Sequence, residues 1–170
     1  QVESNFVKFG FGVLLPIKPF PVTGRKKNQG ITTEINPKMK PKKGLIQLKQ
    51  LFDEHAFWAK GRSMKRLKIM LAKSTVVISA WRGNNLIGFG RANSDYIFRS
   101  VLWDIVVANE SQGEGIGSLL IETLINSPEI KDVEKIYLMT THCSNFYENK
   151  GFQFSNNQKL LYINGISKIK

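Results

Sequence analysis

The segment from Val101 to Ser127, VLWDIVVANESQGEGIGSLLIETLINS, decides the fold of this chain. Its first eight residues, 101–108, are mostly β-branched or apolar, which predicts a largely buried strand. After a short polar turn, apolar residues recur at helical spacing from Ile116 to Leu124, and Pro128 disfavours helix in the residue before it. The segment therefore predicts a strand, a glycine-containing turn and a helix in succession.

The turn between the strand and the helix has the chemistry of a phosphate cradle. A helix leaves its first backbone N–H groups without partners, and its dipole favours negative charge at that end. Glycines at alternate positions, Gly113, Gly115 and Gly117, remove the side chains that would keep a ligand away from those N–H groups. We interpret the turn as a site for a phosphate or diphosphate. The alternative is a flexible loop in which the glycines only permit tight turning.

Four segments carry a resemblance to a known family. Gln-x-x-Gly-x-Gly at 112–117 resembles the acetyl-CoA signature of the GNAT N-acetyltransferases, whereas dinucleotide-binding folds need Gly-x-Gly-x-x-Gly. Phe-Tyr-x-x-x-Gly-Phe at 146–152 is similar to the family's short helix after its fifth strand. The segments 86–95 and 103–107 resemble the plastid and cyanobacterial branch, which includes chloroplast acetyltransferases reported to act on serotonin-type amines and on protein amino groups. The resemblance covers about residues 45–163.

The resemblance implies an α+β (α/β) fold. Its mixed, mainly antiparallel central sheet would have about six to seven strands and about four flanking helices, with a splayed parallel pair at the cofactor site. Apolar spacing predicts helices at Gly44–Trp58 and after the N-cap Ser63. The predicted strands are Ile31–Ile35, Val76–Arg82, Leu86–Ala92, the Val101 strand, Lys135–Thr141, and one or two within Gln153–Ile163. Gly88 and Gly90 within a strand indicate a bulge or the close approach of another group.

The net charge is concentrated in the N-terminal part. Up to Lys73 there are sixteen Lys and Arg against four Asp and Glu, so this part carries the whole formal charge of +12. Residues 1–43 also hold five of the six prolines, which predicts a basic, partly extended or mobile extension before a GNAT domain at 44–170. The basic part could attract nucleic acid, an anionic surface or cofactor phosphates, or form a solvated face. Nucleic acid is disfavoured, because aromatic residues do not alternate with the basic ones.

Composition sets further limits. The 170 residues include a single cysteine, Cys143, which excludes an internal disulfide and is compatible with a reducing compartment. No apolar run approaches the roughly 18 residues of a membrane span, and we expect a monomer or homodimer. The chain begins at Gln1, so a transit peptide could have been removed. Six Arg against nineteen Lys indicate an AT-rich genome. We therefore expect a plastid (chloroplast) protein, with a bacterial cytoplasm as the alternative.

The resemblance also implies where acetyl-CoA would bind, with no metal. Backbone groups of residues 105–107 would pair with the pantetheine arm, and the N–H of Val106 or Val107 would polarise the thioester carbonyl. The turn at 112–118 would hold the diphosphate. The expected cofactor-binding residues are Ile105, Val106, Val107, Gln112, Gly113, Glu114, Gly115, Ile116, Gly117, Ser118, Asn145 and Tyr147.

Acetyl transfer to an amine also needs an acid for the thiolate and a base for the amine. Tyr147 is the expected acid, because a phenol is neutral and can donate a proton at physiological pH; the alternative is that it only packs against the cofactor. Many family members place a carboxylate where Val101 and Trp103 fall here. Asp104 is therefore the expected amine ligand or base, through water, if a bulge re-aims it from the face that alternation gives it. A purely structural Asp104 is the alternative.

The predicted function is acetyl-CoA-dependent N-acetyl transfer to a primary amine by direct attack in a ternary complex. The acceptor would be an arylalkylamine such as serotonin, or a protein lysine or N-terminal amine. Trp58, Trp103 and Phe98 could line a pocket for an aromatic amine or pack in the core. The alternative is a non-catalytic acyl-CoA-binding regulatory module or a basic interaction protein on the same fold, because Val101 and Trp103 are not carboxylates.

Overall fold

The computed structural model describes residues 30–35 and 43–163. The chain divides into two compact units, Gln1–Met139 and Thr140–Lys170. In the first unit the strands are β1 (Ile31–Ile35), β2 (Val76–Arg82), β3 (Asn85–Ser94), β4 (Arg99–Val107) and β5 (Lys135–Tyr137). Its helices are α1 (Lys43–His55), α2 (Met64–Lys73) and α3 (Ile116–Ile125), with a 3-10 turn at Asn109–Ser111. The second unit contains α4 (Ser144–Glu148).

The five strands form one sheet whose spatial order, β1-β2-β3-β4-β5, follows the chain. The first four strands pair antiparallel, and β5 pairs parallel to β4. A parallel neighbour needs a crossover connection, and α3 lies in the connection between β4 and β5. The predicted mixed, mainly antiparallel sheet with one parallel pair is therefore confirmed.

The predicted strand count was too high for the part of the chain that is described. The stretch 153–163, expected to hold one or two strands, contains none, and β5 ends at Tyr137 rather than Thr141. Leu161 and Tyr162 are 87% and 85% exposed. A strand exists only when a neighbour completes its ladder of hydrogen bonds, and the apolar pattern of a sequence does not report whether that neighbour is present. The four α-helices of the described residues agree with the expected number.

The edge strand β1 lies within the predicted extension. It pairs with β2 from Ile31 opposite Arg82 to Ile35 opposite Ile78, so the short strand expected here is confirmed. Residues 1–29 and 36–42 lie outside the described residues, so the linker expected in this region was not tested. The domain boundary after residue 43 stays a prediction.

Helices α1 and α2 belong to one hydrophobic core with β3 and β4. Leu48, Leu51 and Phe52 of α1 are buried, and the Phe52 ring meets the Phe89 ring of β3 edge-on, with 5.4 Å between centroids. The α2 helix begins after Ser63, whose hydroxyl accepts a hydrogen bond from the Arg66 N–H at 3.3 Å. That N-cap was predicted, since a serine at this position satisfies an N–H that the helix cannot.

Helix α3 packs closely against the glycines of β3. A Cβ atom on Gly88 would lie 3.1 Å from Ile116 Cγ2, and one on Gly90 would lie 2.7 Å from Ile105 Cδ1 and 3.1 Å from Leu124 Cδ1. The close approach predicted from these two glycines is therefore confirmed. Glycine at these positions lets α3 lie directly on the sheet.

We expect Gly90→Ala to lower the free energy of unfolding by about 1 kcal/mol, because overpacking of about 1–3 kcal/mol is partly offset by the stiffer unfolded chain. Denaturant titration measures the change. The double variant Gly90→Ala with Ile105→Val removes the methyl group that the new Cβ would meet, and should recover part of the loss. An equally large loss in the double variant would show that the clash with Ile105 is not the cause.

Candidate functional site

A bulge interrupts β4 in its middle. The register with β3 passes from Arg91 opposite Trp103 to Phe89 opposite Val106, so two residues of β4 face Gly90 alone. The first of them, Asp104, has φ of 53°, in the left-handed region. This conformation costs a non-glycine residue about 1–2 kcal/mol. The bulge on which the prediction for Asp104 depended is therefore present, and its extra residue is Asp104 itself.

The Asp104 carboxylate is held from three directions. Its oxygen Oδ1 accepts hydrogen bonds from Trp58 Nε1 at 3.2 Å and Arg62 Nη1 at 3.1 Å, and Oδ2 accepts one from Arg91 Nε at 2.7 Å. The side chain is only 3% exposed. A buried carboxylate is stable when charged partners and donors satisfy both oxygens. Asp104 therefore lies on the sheet face shared by α1 and α2, which simple alternation does not give it.

Aromatic rings accompany these charges. The Arg91 guanidinium carbon lies 5.8 Å from the centroid of the Trp103 ring, within the range of a cation–π contact. Trp103 and Trp58 are 36% and 48% exposed, so core packing does not account for them. Phe98, also exposed, precedes β4. We call Trp58, Arg62, Arg91, Trp103 and Asp104 the arginine–tryptophan cluster.

Sequence reasoning missed the two arginines of this cluster. Arg91 lies on β3 directly opposite Trp103. A predicted register of β3 with β4 would therefore have indicated Arg91. Arg62 lies in the connection between α1 and α2, where sequence spacing gives no register. Asp95, another carboxylate close to β4 in the sequence, accepts backbone N–H bonds from residues 97–99, and these bonds lower its pKa.

Hydrogen bonds hold the side chain of Gln112 at the start of the turn after β4. Gln112 Nε2 donates to the Val107 carbonyl at 3.3 Å and to Asn109 Oδ1 at 3.1 Å. Arg82 at the end of β2 donates to Ser111 Oγ at 3.4 Å and pairs with the Glu114 carboxylate. Sequence reasoning missed Arg82. Because β2 and β4 both run antiparallel to β3, their C-terminal ends lie at the same end of the sheet, and this could have indicated Arg82.

The glycines of the turn adopt left-handed conformations. Gly113 has φ of 77°, and Gly115, the N-cap of α3, has φ of 88°. A Cβ on either would meet nothing within 4 Å, so these glycines are needed for their backbone angles and leave open space beside the turn. The first α-helical hydrogen bond runs from Leu119 N to the Gly115 carbonyl. The N–H groups of residues 116–118 therefore have no partner within the helix. This geometry suits an anion such as a diphosphate.

The edge of β4 on the β5 side is paired over only part of its length. Its parallel ladder with β5 runs from Arg99 opposite Lys135 to Val101 opposite Tyr137 and ends there. Within the described residues, the stretch 105–107 has no strand partner on the β5 side. Backbone groups at an unpaired edge can bind an extended ligand, as an added strand would. The residues expected to pair with a pantetheine arm are therefore available for it.

The second unit holds the expected proton donor. Tyr147 on α4 packs edge-on against Phe146 and Phe152, with 5.0 and 5.9 Å between ring centroids. Burial, and secondarily the charge of nearby Cys143, raises the pKa of Tyr147 from about 10 to about 12. Gly151, with φ of 89°, follows the helix as predicted. The placement of Asn145 and Tyr147 beside a thioester stays a prediction.

The described residues also bear on metal binding and on membrane spanning. Within residues 30–35 and 43–163, no group of three or more His, Cys, Asp or Glu side chains is placed to hold a metal ion. In the same part of the chain, none of the helices has the length and apolar character needed to cross a bilayer.

The fold of this chain is similar to that of known acetyltransferases. Residues 73–154 match the acetyltransferase (GNAT) domain. A GNAT-family acetyltransferase of Streptococcus pneumoniae TIGR4 superposes with a TM-score of 0.65 at 22% identity, covering 79% of this chain and 98% of that one. A Trypanosoma brucei acetyltransferase gives 0.62 at 18% identity, covering 78% and 99%. Residues 73–154 therefore carry a GNAT acetyltransferase domain.

Its relatives place it in the plastid and cyanobacterial branch. The N-acetyltransferase ycf52 of Gracilaria tenuistipitata var. liui is 35% identical over 96 residues, 54% of this chain and 53% of the relative. The chloroplastic GCN5-related N-acetyltransferase 2 of Arabidopsis thaliana is 39% identical over 69 residues, 40% and 27% of the two chains. A ycf52-like protein of Prochlorococcus marinus also matches, at 28% identity over 113 residues, 64% of this chain and 62% of that one. The chain spans 53–64% of the length of the first curated relatives it matches.

Proposed function

We propose that this chain is an acetyl-CoA-dependent N-acetyltransferase that works in a plastid on a primary amine. The observation that carries the proposal is the turn with left-handed Gly113 and Gly115, which leaves the first N–H groups of α3 free beside open space. The relatives named as chloroplastic N-acetyltransferases support the reaction class and the location.

The residues present fit the cofactor. Each hydrogen bond from a backbone N–H of the turn to a charged phosphate oxygen would contribute roughly 1.5–3 kcal/mol. Arg82, through Ser111 and Glu114, fixes the position of this turn before the ligand binds. The unpaired edge of β4 at residues 105–107 would bind the amide groups of the pantetheine arm.

Acetyl-CoA supplies an acyl group activated as a thioester. The lone pair of the amine attacks the carbonyl carbon, a C–N bond forms, and the C–S bond breaks with its electron pair moving to sulfur. In our proposal the N–H of Val106 or Val107 polarises the carbonyl, as an oxyanion-hole donor does. Asp104 takes the proton of the amine through a water, since its own oxygens are already hydrogen-bonded. Tyr147 donates a proton to the leaving thiolate.

Tyr147→Phe tests the acid role. We expect kcat to fall by about 10²-fold, the lower end of general acid catalysis, with little change in acetyl-CoA affinity. Because the pKa of Tyr147 is about 12, wild-type kcat should show no loss from its ionisation below about pH 10. Tyr96→Phe, on an exposed tyrosine before β4, is the control. Unchanged kcat in Tyr147→Phe would leave Tyr147 only a packing role.

The same tyrosine makes stability depend on pH. Its pKa is higher in the folded chain than the ordinary value, so the folded state keeps the phenolic proton longer. The resulting stabilisation is present below about pH 10 and is lost as pH rises toward about 12. We expect part of the alkaline loss of stability in wild type to be missing from Tyr147→Phe.

Release of free CoA thiol tests the proposed reaction directly. The purified chain, acetyl-CoA and a panel of arylalkylamines, amino acids, lysine peptides and protein N-termini should give thiol release that depends on the amine. The second candidate, a non-catalytic acyl-CoA-binding module, is favoured by the two arginines that hold Asp104. Calorimetric binding of acetyl-CoA without turnover of any amine would support that candidate and overturn the enzyme.

A further inference from the structure

The arginine–tryptophan cluster contains more positive than negative charge. Arg62 and Arg91 share the single carboxylate of Asp104, which leaves a charge of +1. Arg62 donates to Asp104 only through Nη1, and the Arg62 side chain is 33% exposed. A guanidinium offers five N–H donors, so Arg62 keeps a donor edge for a further partner. The cluster can therefore bind an anion without losing Asp104.

The surrounding helices reinforce this charge. Residues 43–73 contain eight Lys and Arg against two Asp and Glu, a net charge of +6. One of the two acidic residues, Asp53, pairs with Lys49 and is not available to offset Arg62. A surface of one sign repels ligands of the same sign and attracts those of the opposite sign. Lysine-rich acceptors are therefore disfavoured on this face, and acceptors with an anionic group are favoured.

We propose that the acceptor is a primary amine that carries a carboxylate, and that Arg62 recognises this carboxylate, while Arg91, which donates to Asp104, Ser74 and Asn93, contributes positive charge. This inference rests on the proposed acetyl transfer. The planar fork of a guanidinium matches a carboxylate with two parallel hydrogen bonds. The amine of the same molecule then lies near Asp104, with a water between them, as in the proposed proton transfer. The exposed faces of Trp58 and Trp103 suit an apolar or aromatic side chain on that acceptor.

Two matched amines test the inference on the wild-type chain. Tryptophan and tryptamine share the ring and the amine and differ in the carboxylate. We expect kcat/KM to be about 10- to 100-fold higher for tryptophan, the effect of one charge-assisted hydrogen-bonded contact. Tryptophanamide, and peptides with an acidic or a lysine-rich N-terminal segment, distinguish a free α-carboxylate from an acidic side chain as the recognised group. An equal or higher kcat/KM for tryptamine, with no preference for the acidic peptide, would overturn the inference.

A pair of charge-removing variants assigns the preference to Arg62. Arg62→Gln should remove most of the preference for the carboxylate, so that kcat/KM falls much more for tryptophan than for tryptamine. Lys65→Gln removes one charge from an exposed position of α2 and should keep the preference. Thermal unfolding shows whether each variant folds. Should Arg62→Gln not fold, the ratio of kcat/KM for tryptophan to that for tryptamine in the wild-type chain decides whether the carboxylate is recognised. Equal loss of both activities in a folded Arg62→Gln would overturn the assignment.

The two proposals fail in different ways. Turnover of tryptamine in preference to tryptophan leaves the acetyltransferase intact and removes only the carboxylate specificity. Absence of turnover with every amine, together with acetyl-CoA binding, removes the enzyme and the acceptor class with it.

Discussion

Gly115→Ala is expected to weaken acetyl-CoA binding by about 10- to 100-fold, the equivalent of one lost N–H bond to a phosphate oxygen. Gly115 has φ of 88°, which an alanine adopts only at a cost of about 1–2 kcal/mol. Relief of that strain would turn the N–H groups at the start of α3 away from the ligand. The added methyl group would also enter the open space beside the turn. Isothermal titration calorimetry with acetyl-CoA measures the change.

Gly30→Ala is the matched control for this variant. Gly30 has φ of 89° and also has nothing within 4 Å of a built Cβ, but it precedes β1 rather than α3. Both variants should lose a similar amount of stability, and only Gly115→Ala should lose affinity. Equal acetyl-CoA affinity in Gly115→Ala and wild type would show that the turn does not hold the diphosphate, and the proposed function would lose its main support.

Asp104→Asn is expected to lower kcat by at least about 10²-fold, if Asp104 takes the proton of the amine. Asparagine tolerates the left-handed conformation at this position, so the bulge should persist. The loss of charge leaves Arg62 and Arg91 without their carboxylate. We expect stability to fall by about 2–3 kcal/mol, less than the 3–5 kcal/mol of a fully buried pair because Arg62 is a third exposed.

Glu134→Gln provides a comparison with a surface pair. Arg99 of β4 lies 3.0 Å from Glu134, and both side chains are about half exposed, at 44% and 54%. Such pairs contribute about 0–1 kcal/mol, so this variant should resemble wild type in stability and rate. A folded Asp104→Asn protein with wild-type kcat would assign Asp104 a structural role, as the anchor of the two arginines.

The local elements could be predicted because short-range rules govern them. The apolar run of β4, the glycines after it and the spacing of α3 lie within one continuous segment. The N-cap at Ser63 and the glycine that follows α4 depend on neighbouring residues only. The predicted strand after residue 152 was wrong, because a strand needs a partner that its own residues do not specify.

The arginine–tryptophan cluster was only partly predictable. Sequence patterns singled out Asp104 and the two tryptophans, and alternation alone would have turned Asp104 away from the face that holds Trp103. The bulge opposite Gly90 reverses that direction, and it depends on how β3 and β4 register. Arg62 reaches Asp104 from 42 residues away along the chain, a distance over which no spacing rule operates.

The sequence by itself determined the glycine turn, because strand, glycines and helix start lie next to one another and their backbone angles follow from residue type. Only the tertiary structure decided which side chains meet Asp104 on the sheet face that α1 and α2 share. Trp58 and Arg62 from the connection between α1 and α2 converge there with Arg91 of β3 on one carboxylate. This convergence depends on strand register and helix packing rather than on any local pattern.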